Sequence, residues 1–180
     1  MTRFTSIGSK LALLLLLAAP ALADGVVTSG IIPVGQIPGT TTNDNASAGN
    51  VGEVLSTTVA TGSAVSLTTA TGADIATVSL TAGDWDCRGV VTRNLGATTS
   101  VTILSQGIST GSTGVMPALG TTNVTQFTTA ANVMVNQPQH TVGPTRLSLS
   151  ATTTARLVAK DTFTVSTDAA FGQIECRRVR

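Results

Sequence analysis

Few residues in this 180-residue chain have the types and spacing for chemistry, and His140 is the first to weigh. It is the only histidine, which excludes a multi-histidine metal site. As the base of a Ser-His-Asp triad it would need a nucleophile on a sharp strand-to-helix turn. It lies instead in the stretch NQPQHTVGP, with no nucleophile-elbow sequence flanking it. Asp84 and Asp86 flank the single tryptophan, Trp85. Paired carboxylates raise calcium or glycosidase chemistry, but no Asp/Asn loop of calcium spacing follows. Asp84 reads as a turn residue and Asp86 as a solvated strand residue. The oxygen-rich TNDNAS at 42–47 could hold a cation or simply be turn chemistry, and turn chemistry is the reading preferred. Arg177, Arg178 and Arg180 read as a solvated strand end rather than a polyanion contact. No phosphate-binding glycine loop, CxxC motif or aromatic-lined basic stripe is present. The expectation is a non-enzymatic protein without a cofactor or metal.

Cys87 and Cys176 are the only two cysteines. In GDWDCRGVV, residues 83–91, strand alternation puts Trp85, Cys87, Gly89 and Val91 on one side and Asp86, Arg88 and Val90 on the other. That parity makes Trp85 a core residue rather than a sugar-stacking platform. In FGQIECRRV, 171–179, Ile174 and Cys176 share a face in the same way. Two inward cysteines can bridge if their strands pair, and two separate buried thiols are the alternative.

The compartment bears on that choice. Arg3 and Lys10 precede an apolar run, LALLLLLAA, followed by Pro20 and the small-residue sequence ALA at 21–23. This is the grammar of an export signal, with cleavage expected between Ala23 and Asp24. The apolar run is short for a permanent membrane anchor. An exported, soluble chain would fold where disulfides persist. Without Arg3 and Lys10 the chain carries eight basic against nine acidic residues, so nothing electrostatic points to nucleic acid.

The elements that must position these residues are strands. Residues 24–50 read as an extended tail or linker, rich in Pro, Gly and Asn/Asp/Ser/Thr. From Val51 onward, short apolar/Ser/Thr alternations are separated by turns: ADIATVSL (73–80), SVTILSQGI (100–108), TRLSLS (145–150), ARLVAK (155–160), TFTVS (162–166) and the final strand near 171–179. No stretch has helical spacing. The fold class is an all-β antiparallel sandwich or jelly roll over 51–180. Charged residues are 11% and aromatics 3%, so the core is built from small side chains and is thin. A disulfide or self-association would supply what it lacks. Residues 110–143 read as irregular loops, and a ligand site is expected there, near Met116, Gln137 and His140.

Several phrases resemble the C-terminal module of bacteriophage and prophage tail-fibre-like proteins: GTTTNDNASAGNVGEVLSTTVATGSAVSLTT, SLTAGDWDCRGVV, TTSVTILSQGIST, GPTRLSLSATTTARLVAKDTFTVST and FGQIECRRVR. The resemblance runs from about Gly39 to Arg180 and is weakest over 111–143. It implies a trimeric jelly roll of tumour necrosis factor-like style, with a structural or receptor-binding role. It also implies that the strand after the GDW turn neighbours the final strand, which would set Cys87 beside Cys176. The chain departs from that pattern in carrying an export signal and in lacking a long fibre shaft. The function expected is an exported homotrimeric module that binds a cell-surface glycan or protein. A fimbrial subunit assembling by strand addition and a secreted carbohydrate-binding module are the alternatives; a secreted hydrolase would rest on His140 alone.

Overall fold

The computed structural model describes residues 42–133 and 137–180. The expected export signal, its cleavage site at Ala23 and Asp24, and the tail as far as residue 41 lie outside the described residues. Ten strands follow one another: β1 (Val54–Val59), β2 (Val65–Ser66), β3 (Ala73–Leu80), β4 (Gly83–Leu95), β5 (Ser100–Ser109), β6 (Val124–Val133), β7 (Gln139–Leu149), β8 (Thr153–Ala159), β9 (Thr162–Thr164) and β10 (Asp168–Arg178).

They form two antiparallel sheets packed face to face. The first has the order β1-β10-β4-β7, with short β2 beside β10; the second has the order β3-β8-β5-β6, with short β9 beside β5. Taking only the eight long strands, the chain changes sheet at every step except β5 to β6, which pair as a hairpin in the second sheet, and the resulting strand order is that of a jelly roll. The all-β sandwich read from the sequence is the fold observed.

The alternation dictates the faces. On β3, Ala76, Val78 and Leu80 are buried while Thr77 and Ser79 are exposed. A register shift between Asp74 and Ala76 turns Ile75 inward as well. On β4, Trp85, Cys87, Gly89, Val91 and Arg93 form one buried column. The facing column on β10 is Asp168, Ala170, Ile174, Cys176 and Arg178. Buried between the sheets are mostly Ala, Val, Leu and Ile, with Trp85 the largest side chain. The thin core is therefore real, and charged residues stand at both ends of its central columns.

Two boundaries differ from the sequence reading. Residues 42–50 belong with the sandwich, whose compact unit begins at Thr42. Asn45 acts there as a backbone surrogate: its amide donates to the Val54 carbonyl and its side-chain oxygen accepts from the Val54 N–H, both at 2.7 Å. The stretch 110–143 is only partly loop, because β6 and the first five residues of β7 fall within it. Both are edge strands, which bury one flank only and so need little apolar alternation. An edge strand also tolerates Pro144, here preceded by a cis peptide bond.

Candidate functional site

The outer face of the first sheet carries a groove. Its floor comes from cross-strand pairs of β4 and β10: Asp86 opposite Arg177, Arg88 opposite Glu175, and Val90 opposite Gln173. Period-two alternation makes these the outward residues of the strands whose inward residues form the core. Arg88 and Glu175 form an ion pair at 2.5 Å. The far wall is Thr141–Pro144 of β7. There the pairing of β4 with β7 shifts register between Cys87 and Gly89. Gly143 adopts φ +96° at this step, and a Cβ on it would come within 2.6 Å of the Cys87 carbonyl oxygen. Only glycine fits that approach. The hollow encloses about 390 Å³ and continues into a second of about 210 Å³ towards Asp86 and Arg177.

Directly under the floor, on the inner side, lies the Cys87–Cys176 disulfide. The two cysteines are register partners between the Asp86/Arg177 and Arg88/Glu175 pairs. The bridge permitted by parity is formed, and the two strands that shape the groove are covalently held together.

The residues expected at a ligand site are not brought together. Met116 lies in the segment that folds over the outer face of the second sheet. It lines a separate hollow of about 330 Å³ with Ile103, Ser105, Leu119 and Lys160. That segment seats on bare backbone: a Cβ at Gly107 would sit 2.8 Å from both Met116 Sδ and Pro117 Cδ. Gln137 is exposed beyond the sheet edge. His140 lies in β7 rather than in a loop, its ring 4.1 Å from that of Phe127 on β6, so the pair bridges the edge strands of the two sheets. Burial, then the nearby Arg93 charge, holds its imidazole below the ordinary histidine value.

Among the described residues no nucleophile-base pair arises. Residues 107–111 do read Gly-Ile-Ser-Thr-Gly, but Ser109 ends a strand that passes into a turn rather than a helix. Its oxygen accepts the Gly111 N–H at 3.1 Å. Asp84 receives charged hydrogen bonds from Arg146 at 2.9 Å and Arg180 at 2.7 Å. The neighbouring Ser148 hydroxyl and the Arg146 guanidinium hold its carboxyl below the ordinary range. It is thus an anchor for two arginines, not the plain turn residue expected. Asp86 is exposed as expected, and Trp85 is fully buried, its indole N–H donating to the Thr81 carbonyl at 2.9 Å.

Two buried ionic clusters close the ends of the sandwich. At one end Arg93 meets Asp161 through two hydrogen bonds, 2.9 and 3.0 Å, and also donates to Gln106 and the Ser105 carbonyl. Asp168 faces the same Asp161 carboxylate. Burial and then that neighbouring charge push its carboxyl up to about 8, so it is protonated at neutral pH. At the other end Arg178 lies 4.3 Å over the Trp85 ring and pairs with Glu53 at 3.0 Å. It also donates to the Ala82 carbonyl and to the Thr81 hydroxyl. Arg178 is therefore not part of a solvated strand end; of the three C-terminal arginines only Arg177 and Arg180 are exposed. The sequence signal for both clusters was available: Arg93 and Arg178 continue the inward parity of Val91 and Cys176.

Among the described residues no group of three His, Cys, Asp or Glu side chains is placed to hold a metal, and no helix is long and apolar enough to cross a membrane. Set against known proteins, the chain matches no family model, no curated protein and no solved structure.

Proposed function

We propose that the chain is an exported, non-catalytic jelly-roll module that works as a homotrimer and binds a cell-surface receptor, in the manner of a tail-fibre head domain. The observation that carries the reading is the strand order, β1-β10-β4-β7 against β3-β8-β5-β6, which is self-contained. The C-terminal strand fills the interior of its sheet between β1 and β4. That arrangement favours a complete module over a subunit finished by a neighbour's strand. Export is supported by the signal-like N-terminus and the intrachain disulfide. Self-association is supported by the thin core of small side chains, since a subunit interface would add buried apolar area.

Native mass spectrometry of the exported protein tests the reading. A trimer that persists on dilution is the expected outcome. A monomer, or an open ladder of species, would overturn the fibre-type assembly.

A further inference from the structure

We propose that the groove between β4, β10 and β7 on the outer face of the first sheet is a binding site for an uncharged saccharide. This rests on the reading of the chain as a binding module and adds the place and the ligand chemistry.

Charge is the first argument. The four ionic residues along the floor are Asp86, Arg88, Glu175 and Arg177, two of each sign, so the floor has no net charge. An anion entering would find Arg88 already engaged by Glu175 and would face Asp86. A cation would meet both arginines. A neutral ligand meets neither penalty.

The pattern of donors and acceptors points the same way. Guanidinium groups only donate and carboxylates only accept, and here they alternate along and across the strands. The Gln173 amide both donates and accepts. A sugar hydroxyl is donor and acceptor at once, so adjacent ring hydroxyls can satisfy a neighbouring guanidinium and carboxylate together. Few other uncharged ligands present such pairs at that density.

The shape of the groove suits a sugar ring. Val90 on the floor and Pro144 on the wall supply apolar surface for the C–H face of a ring, while Val142 turns inward to the core. A volume of about 390 Å³ falls at the small end of ligand pockets, the size for a short saccharide. The Cys87–Cys176 bridge beneath the floor fixes β4 against β10, so little ordering is required on binding.

The test is an amide NMR titration of the exported protein with glucose, galactose, mannose and N-acetylglucosamine in turn, and with sodium glucuronate as the charged probe. At least one neutral sugar should give saturable shifts confined to the amides around Arg88–Val90, Thr141–Gly143 and Gln173–Glu175. Gln173 is exposed, so Gln173→Ala should fold normally, keep the native mass, and weaken that sugar's binding about tenfold. No saturable shift in these amides with any of the four sugars would overturn the site. So would tighter binding of glucuronate, or Gln173→Ala binding as well as the parent. Any of these results with the trimer intact removes the groove as a saccharide site and leaves the assembly reading standing. A monomeric native mass with saturable shifts at the groove does the reverse.

Discussion

Arg178 sits where an arginine is costly to place: its side chain is 5% exposed, as its partner Glu53 is 6% exposed. Burying either charge alone would be strongly unfavourable, so the two are retained together. The Gly49 N–H donates to the Glu53 carboxylate at 2.8 Å and is the main reason that this carboxyl titrates below its ordinary range, with Arg178 adding to it. The Trp85 ring beneath the guanidinium contributes a cation–π contact of about 1 kcal/mol or more in so dry a place. Arg178→Ala should therefore destabilise the fold by about 3–5 kcal/mol, because Glu53 is left buried and unpaired. The double variant Arg178→Met with Glu53→Leu should recover most of that loss, since both charges leave together. Urea unfolding of the two variants measures the difference. If the double variant is no more stable than Arg178→Ala, lost packing rather than the orphaned carboxylate sets the cost.

At the scale of elements, the β4–β10 pair is the spine of the molecule. It spans eleven register partners, from Asp168/Leu95 to Arg178/Trp85, and Cys176 opposite Cys87 lies near one end. The bridge closes a sequence separation of 89, for which chain entropy gives an upper limit of about 4.5 kcal/mol. Cys87→Ala with Cys176→Ala should lose about 2–4 kcal/mol in denaturant unfolding. Intact mass of the native protein after alkylation without reductant should show no modified thiol; two alkylated cysteines would refute the bridge. The inward parity of Trp85, Cys87 and Val91 was legible in the sequence, because a buried central strand has to alternate. So were β3, β5, β8 and the final strand. The edge strand β6 and the first half of β7 were not, since VTQFTT buries little and Pro144 mimics a loop; only the end of β7 was legible, as TRLSLS. The groove was equally hidden. It depends on which strands are neighbours and on a register shift at Gly143, and alternation within one strand encodes neither. Met116, Gln137 and His140 were grouped by nearness in sequence, whereas the fold sets Met116 over the outer face of the second sheet and His140 at the seam between the edge strands.

Across the whole molecule, near-neutral charge leaves pH dependence to a few groups with unequal environments. Glu53 and Asp84 titrate below their ordinary values of 4.5 and 3.8. Their stabilisation is complete above those values and is lost as the pH falls through the lower folded ones. His140 is held below 6.5 mainly by burial, so the unfolded chain binds its proton first and stability drops as the pH falls from 6.5. Asp168 acts in the opposite sense. Its folded value is about 8 against 3.8, so the native state holds a proton that the unfolded chain has released, and stability falls as the pH rises between the two. Just below pH 6.5 the His140 and Asp168 slopes oppose each other. From 6.5 to 8 only Asp168 acts, and one proton over that interval corresponds to about 2 kcal/mol. Thermal melts should therefore show a flattening just below pH 6.5, a loss of several degrees between pH 6.5 and 8, and little further change just above. Asp168→Asn keeps the shape, cannot ionise and can donate to Asp161. It should abolish the decline between 6.5 and 8, raise the melting temperature at pH 8, and uncover the rise towards pH 6.5 that His140 causes. A decline of the same size in Asp168→Asn would place the alkaline-side proton on another group and remove Asp168 from the account.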